Sequence, residues 1–135
     1  MLFKRLQHTA AGQDIPGKSG IGTGFYSNIK PVAVATDAAV TMTVDQMAGG
    51  MVQYTGFTAG RAITTPTAAA ILAAAADMDI GDSFSFVVSI VPAFAGTWTA
   101  GTGVTLAGRA TTPASSWSII TVTKLSATTV EWRVS

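Results

Sequence analysis

The segment SFSFVVSIV, residues 83–91, alternates with a period of two. Phe84, Phe86, Val88 and Ile90 fall on one side, and Ser85, Val87, Ser89 and Val91 on the other. That pattern predicts a strand with one face in a core. The second face is itself half apolar, so it too is a candidate for being covered. Pro92 ends or bends the strand, because proline has no N–H to give to a ladder. The same period returns in WSIITVTKL (117–125) and TTVEWRV (128–134), which predict a hairpin turning around Ser126-Ala127. In its second arm Val130, Trp132 and Val134 face inward, while Thr129, Glu131 and Arg133 face outward. Shorter strands are expected in GTWTAG (96–101) and VTLAG (104–108), each bounded by glycine. Upstream, VAVATDAAVTMTV (32–44) alternates loosely and is rich in Val and Thr, and MVQYTGF (51–57) reads as a further strand.

Helical signals are few. Thr43-Val44-Asp45-Gln46 has the T-x-x-Q form of a capping box, but Gly49-Gly50 leaves room for only one turn. TTPTAAAILAAAAD predicts a short helix over about 66–76, with Thr65 as cap and Pro66 at the first helical position. Alanine has the best helix propensity, and Ile71 and Leu72 are the only large apolar groups before Met78. So thin a face suits a helix packed closely on a sheet. Many short strands with Gly and Pro turns predict a mainly β body, a β-sandwich of jelly-roll type or a barrel, in one domain over 31–135. No fixed period repeats, so a solenoid is not expected.

Residues 1–30 differ in kind. They hold four of the eight basic residues, the single histidine, His8, and five glycines between Gly12 and Gly24, with no hydrophobic period. They predict an extended N-terminal arm ordered by what it lies against. Lys4, Arg5, Lys18, Phe25 and Tyr26 are its candidates for contact with a partner.

Composition changes the picture in one respect. Only 11% of the 135 residues are charged, against roughly 25% in ordinary domains. Ala, Thr, Gly and Ser take their place, so much of the surface is expected to face another protein. The net charge of +1 gives no basic stripe for nucleic acid. Without cysteine there are neither disulfides nor thiolate metal sites. MLFKRLQHTAAGQD has no unbroken apolar run of signal-peptide type, and the apolar run at 67–76 is too short to span a membrane. The expectation is a soluble protein made in a cytoplasm.

One motif invites a catalytic reading. Residues 12–19, GQDIPGKS, match the G-x-x-x-x-G-K-[ST] pattern of a phosphate-binding loop. Such a loop needs a buried strand before it and a helix after it, whose N-terminus receives the phosphate. FKRLQHTAA is no such strand, GIGTGFYSN carries too much glycine for a helix, and Pro16 removes an N–H donor. Nucleotide binding through Gly12, Lys18 and Ser19 is therefore a remote alternative. Asp77, Asp79 and Asp82 are weak candidates for a hard cation, but the spacing departs from an EF-hand and reads as a polar turn. No G-x-S-x-G elbow and no placed acid–base pair is visible. No enzyme activity and no cofactor are expected. Trp98, Trp117 and Trp132, with Tyr26 and Tyr54, keep a carbohydrate-binding reading open. Against it, Trp117 and Trp132 lie in alternating strands, where tryptophan serves a core or a subunit interface.

ITTPTAAAILAAAADMDIGDSFSFVVSI, GTWTAGTGVTLAG and SSWSIITVTKLSATTVEWRV together resemble a type of small structural protein of tailed bacteriophages. The shared features are a Thr-Pro-started Ala-rich helix, a GDSF entry to a long strand, a GTGVTL hairpin and a Thr/Val-rich final hairpin. The resemblance covers about residues 43–135 and is to capsid decoration, or cement, proteins. It implies a β-rich homotrimer that clamps neighbouring major capsid subunits on the virion surface, with no covalent chemistry. Head fibres and tail proteins share the same Ala/Thr/Gly-rich β style and are the alternative.

Overall fold

The computed structural model describes residues 29–135. In chain order these form β1 (Val32–Val34), β2 (Val40–Thr41), α1 (Val44–Ala48), β3 (Met51–Tyr54), β4 (Arg61–Thr64), α2 (Ala68–Ala74), β5 (Ser83–Ile90), β6 (Gly96–Thr99), β7 (Val104–Gly108), β8 (Thr111–Thr112), β9 (Ser116–Lys124) and β10 (Val130–Val134). A six-stranded sheet runs β1-β3-β5-β9-β10-β7, and a four-stranded sheet runs β2-β4-β6-β8. The fold is β-dominant, with two sheets and two short helices.

Through β9 the chain alternates, odd strands joining the larger sheet and even strands the smaller. This explains the strand directions. Parallel neighbours need a crossover between them, and here each crossover carries a strand of the other sheet. The pairs β1–β3, β3–β5, β2–β4 and β4–β6 are accordingly parallel. Antiparallel pairing appears where the winding ends, in β5–β9, β6–β8 and the β9–β10 hairpin. β7 instead crosses to the far edge and pairs parallel with β10. The GTGVTL segment is thus no hairpin, because β6 and β7 belong to different sheets. The strands at 61–64 and 111–112 had no readable period. They are too short to alternate visibly, and their pairing with β6 makes them strands.

The inner face of the larger sheet carries the predicted row. Phe86, Val88, Ile90, Ile120, Val122, Val130, Trp132 and Val134 are all buried. The smaller sheet meets it with Ile63 and Trp98, and Trp98 lies 5.5 Å from Trp132 between ring centroids. Phe86 approaches Trp132 edge-on at 5.4 Å, a favoured aromatic geometry. Gly96 leaves room for the Ile63 side chain, since a Cβ there would come within 2.5 Å of Ile63 Cδ1 and push it aside. A polar chain also crosses the core. The Trp98 indole N–H donates to Thr112 Oγ1 at 3.1 Å, and the Thr112 hydroxyl donates to Ser118 Oγ at 3.0 Å. Buried polar groups need such partners.

Both helix starts are local chemistry, though one differs from expectation. The predicted capping box of α1 forms in full. The Gln46 N–H donates to Thr43 Oγ1 at 3.3 Å, and the Thr43 N–H donates to Gln46 Oε1 at 3.0 Å. Gly50, at φ +81°, then turns the chain into β3. In α2 the cap is Thr67, not Thr65, and Pro66 precedes the helix. Thr65 is held by the sheet: its N–H donates to Thr99 O, and its hydroxyl accepts the Gly101 N–H at 2.9 Å. Tertiary pairing thus carries the strand past the first Thr-Pro and delays the helix by two residues. No helix among the described residues is long and apolar enough to cross a membrane.

Candidate interaction surface

The outer face of the larger sheet is built by the alternate residues of the core-forming strands. Across β5 and β9 the register sets Ser89 opposite Trp117, Val87 opposite Ile119 and Ser85 opposite Thr121. β3 extends the rows with Met51 beside Val87 and Gln53 beside Ser89. β10 adds Arg133 beside Thr121 and Glu131 beside Thr123. One half of the face therefore carries an apolar run, Met51, Val87, Ile119 and Trp117, with Ser89 and Gln53 in the Trp117 row. The other half is hydroxylic, with Ser85 and Thr121 hydrogen-bonded at 3.0 Å.

Trp117 is 60% exposed and Ile119 40%. Val91, one residue past β5, and Phe94, in the loop that follows, are also exposed at this end of the sheet. Ser115 ties that loop to the start of β9 through its N–H to Pro92 O at 2.9 Å. Scattered exposed apolar residues are ordinary. A contiguous set around a tryptophan makes this end of the face a candidate contact surface. The face also carries little net charge, because Glu131 and Arg133 pair with each other at 3.0 Å.

The three tryptophans thus divide. Trp98 and Trp132 are core residues, but Trp117 is not. The reason is its neighbour. Ser118 must point inward to complete the Trp98–Thr112 chain, and alternation then sends Trp117 outward. The sequence signal existed in W-S-I-I-T-V, where Ile120 and Val122 share the parity of Ser118. A serine on the core side hid it.

Asp77, Asp79 and Asp82 lie between α2 and β5. The Asp82 carboxylate accepts the Asp79 N–H at 3.0 Å, which closes the turn. Among the described residues no group of three or more His, Asp or Glu comes together to hold a metal ion. Lys124 Nζ reaches this turn and donates to Met78 O at 2.8 Å. Exposed Ile80 stands between these acids, and exposed Leu125 follows Lys124. Neither Ile80 nor Leu125 stood out in the sequence, where single apolar residues in turns carry no pattern.

The best-organised charge is elsewhere. Asp37 accepts from the Thr58 N–H at 2.9 Å, from the Thr58 hydroxyl, and from Arg61 Nε at 2.9 Å, with Arg61 Nη2 at 2.8 Å. The Thr58 hydrogen bonds, then Arg61, hold its carboxyl down at about 2. This cluster pins the loop before β2 to the entry of β4. Tyr54 is buried against Phe57 with ring centroids 5.3 Å apart, and burial pushes its phenol well above the ordinary range.

Lys4, Arg5, Lys18, Phe25 and Tyr26, the GQDIPGKS motif, His8 and all of the expected arm except Ile29 and Lys30 lie outside the described residues. No family model, curated protein or solved structure matches the chain.

Proposed function

We propose that the chain is a structural virion protein of a tailed bacteriophage. It binds the outer surface of the capsid as a homotrimer and clamps neighbouring major capsid subunits. In this reading the body is a β-sandwich of jelly-roll type, a stable platform with binding surfaces and no chemistry of its own. The supports are the residue-level resemblance over 43–135 and the low charge of the chain. The observation that carries the reading is the outer sheet face, where Trp117, Ile119, Val87 and Met51 form a contiguous apolar run beside uncharged Ser89 and Gln53. A face of this kind suits a protein partner, because interface cores are depleted in charge and enriched in aromatic residues and Met. Three copies on one joint would multiply weak contacts by avidity.

Lys4, Arg5, Lys18, Phe25 and Tyr26 are assigned to contact with the capsid in this reading. The test is light scattering of the purified chain and co-sedimentation with empty heads of the phage that encodes it. A trimer that pellets with heads is expected, and deleting residues 1–28 should weaken pelleting without unfolding the body. A stable monomer that stays in the supernatant would overturn the proposal. The second reading, a carbohydrate-binding adhesin of fibre or tail type, is favoured only by the exposure of Trp117. It requires Trp fluorescence to shift with glycans, and that shift to vanish in Trp117→Ala.

A further inference from the structure

Among the described residues other than Ile29, the exposed large apolar residues fall into two sets at opposite ends of the β5–β9 ladder. One is the plate of Trp117, Ile119 and Val91, with Phe94 in the adjoining loop, near the Ile90–Ser116 end. The other is a knob of Ile80, 68% exposed, and Leu125, 45% exposed, near the Ser83–Thr123 end. The knob is one structural unit: the Gly81 N–H donates to Lys124 O at 2.8 Å, and the Lys124 N–H donates to Asp82 O at 3.0 Å. Eight paired residues separate the ends, which is about 25 Å at strand rise.

Charge distinguishes the two ends as well. Asp77 and Asp79 precede Ile80 and Asp82 follows it, and Lys124 donates into that turn. The plate carries no acid of its own apart from Glu131 further down the face, which is paired to Arg133. Two exposed cations flank the plate's sheet. Arg109 sits beyond β7, its N–H on Val134 O, and Lys30 precedes β1, its N–H on Gly49 O. An acidic knob and a sheet whose two edges carry Lys30 and Arg109 are complementary in charge, whereas two acidic knobs repel.

A cyclic trimer needs two different patches on every subunit, because its interfaces are heterologous. We propose that copies of this chain associate head to tail, with the Ile80–Leu125 knob of one copy seated on the Trp117–Ile119 plate of the next. This rests on the homotrimer reading above and assigns the surfaces that close the ring. Opposite charge at the two ends steers encounter and rejects knob-to-knob contact.

The experiment uses two full-length variants, Ile80→Arg and Trp117→Glu, followed by sedimentation velocity. Both positions are exposed, so far-UV circular dichroism should match wild type and show that the body stays folded. Each variant alone should sediment as a monomer. Mixed in equal amounts they should give a two-chain complex and nothing larger, since one knob and one plate remain intact. Asp79→Lys should weaken wild-type association about tenfold at low salt, and less at high salt. If wild type is trimeric and Ile80→Arg remains trimeric, or if the mixture stays monomeric, the head-to-tail assignment is wrong while the trimer stands. A wild-type chain monomeric at every concentration would remove the homotrimer and this interface together.

Discussion

The two faces of β5, β9 and β10 are made by the same strands, one residue out of step, yet they do opposite work. The inner face presents Phe86, Val88, Ile90, Ile120, Val122 and Trp132, all buried, and it holds the two sheets together. The outer face presents Ser85, Val87, Ser89, Trp117, Ile119 and Thr121, and among the described residues Trp117 and Ile119 on it stay exposed. Hydrophobicity alone does not separate them, since each holds a tryptophan. What separates them is the partner. Trp132 has Trp98 and Phe86 against it, whereas Trp117 has solvent. A large apolar side chain stabilises the fold only where folding supplies its neighbours.

The largest test of that contrast is a pair of tryptophan truncations followed by urea unfolding. Trp132→Ala should cost about 3–5 kcal/mol, a large part of the stability of a domain this size. Trp117→Ala, compared at a concentration where both chains are monomeric, should stay within about 0.5 kcal/mol of wild type. Equal losses would mean that both faces are structural and that the contrast is wrong.

A smaller effect probes the polar chain that sends Trp117 outward. Thr112→Val removes the acceptor of the Trp98 indole and the donor to Ser118. Leaving those buried groups unpaired should cost about 1–3 kcal/mol, readable as a lower urea midpoint at constant slope. An unchanged midpoint would show that the chain does not hold β9 in register.

Next in size is the cap of α2, a helix with no part in the outer face. Thr67→Ala should cost about 1 kcal/mol. If Thr67→Ala is silent, the helix starts at the earlier threonine after all.

The smallest effect is on acid stability. The carboxyl of Asp37 is lowered from 3.8 to about 2 in the folded protein. A depressed folded value means that its stabilisation is complete above the unfolded value. It is lost as pH falls from about 4 towards 2. Asp37→Asn should therefore flatten the pH dependence of the melting temperature in that window and leave the inner-to-outer contrast intact. A steeper acid loss in the variant would reverse this sign.

The strands at 83–90 and 130–134 were legible because long alternating runs state their own inward face. The capping box of α1 was legible because its partners lie three residues apart. The inward face of β9 was less plain, since Ser118 occupies a core position that only Trp98 and Thr112 explain. The short strands β4 and β8 were hidden because two or four residues carry no period. Ile80 and Leu125 were hidden for a related reason: they are far apart in sequence, and a β-ladder brings them to one end.

The sequence by itself determined a charge-poor β protein of short strands, with its main core residues and a helix start near a threonine. These are local properties, carried by residue type and by spacings of two to four. Only the tertiary structure decided that the chain alternates between two sheets, that its early strands run parallel, and that Trp117 lies outside while Trp132 lies inside. Those outcomes depend on which distant segments pair, and hydrogen bonding between strands leaves no mark on the residues of either strand alone.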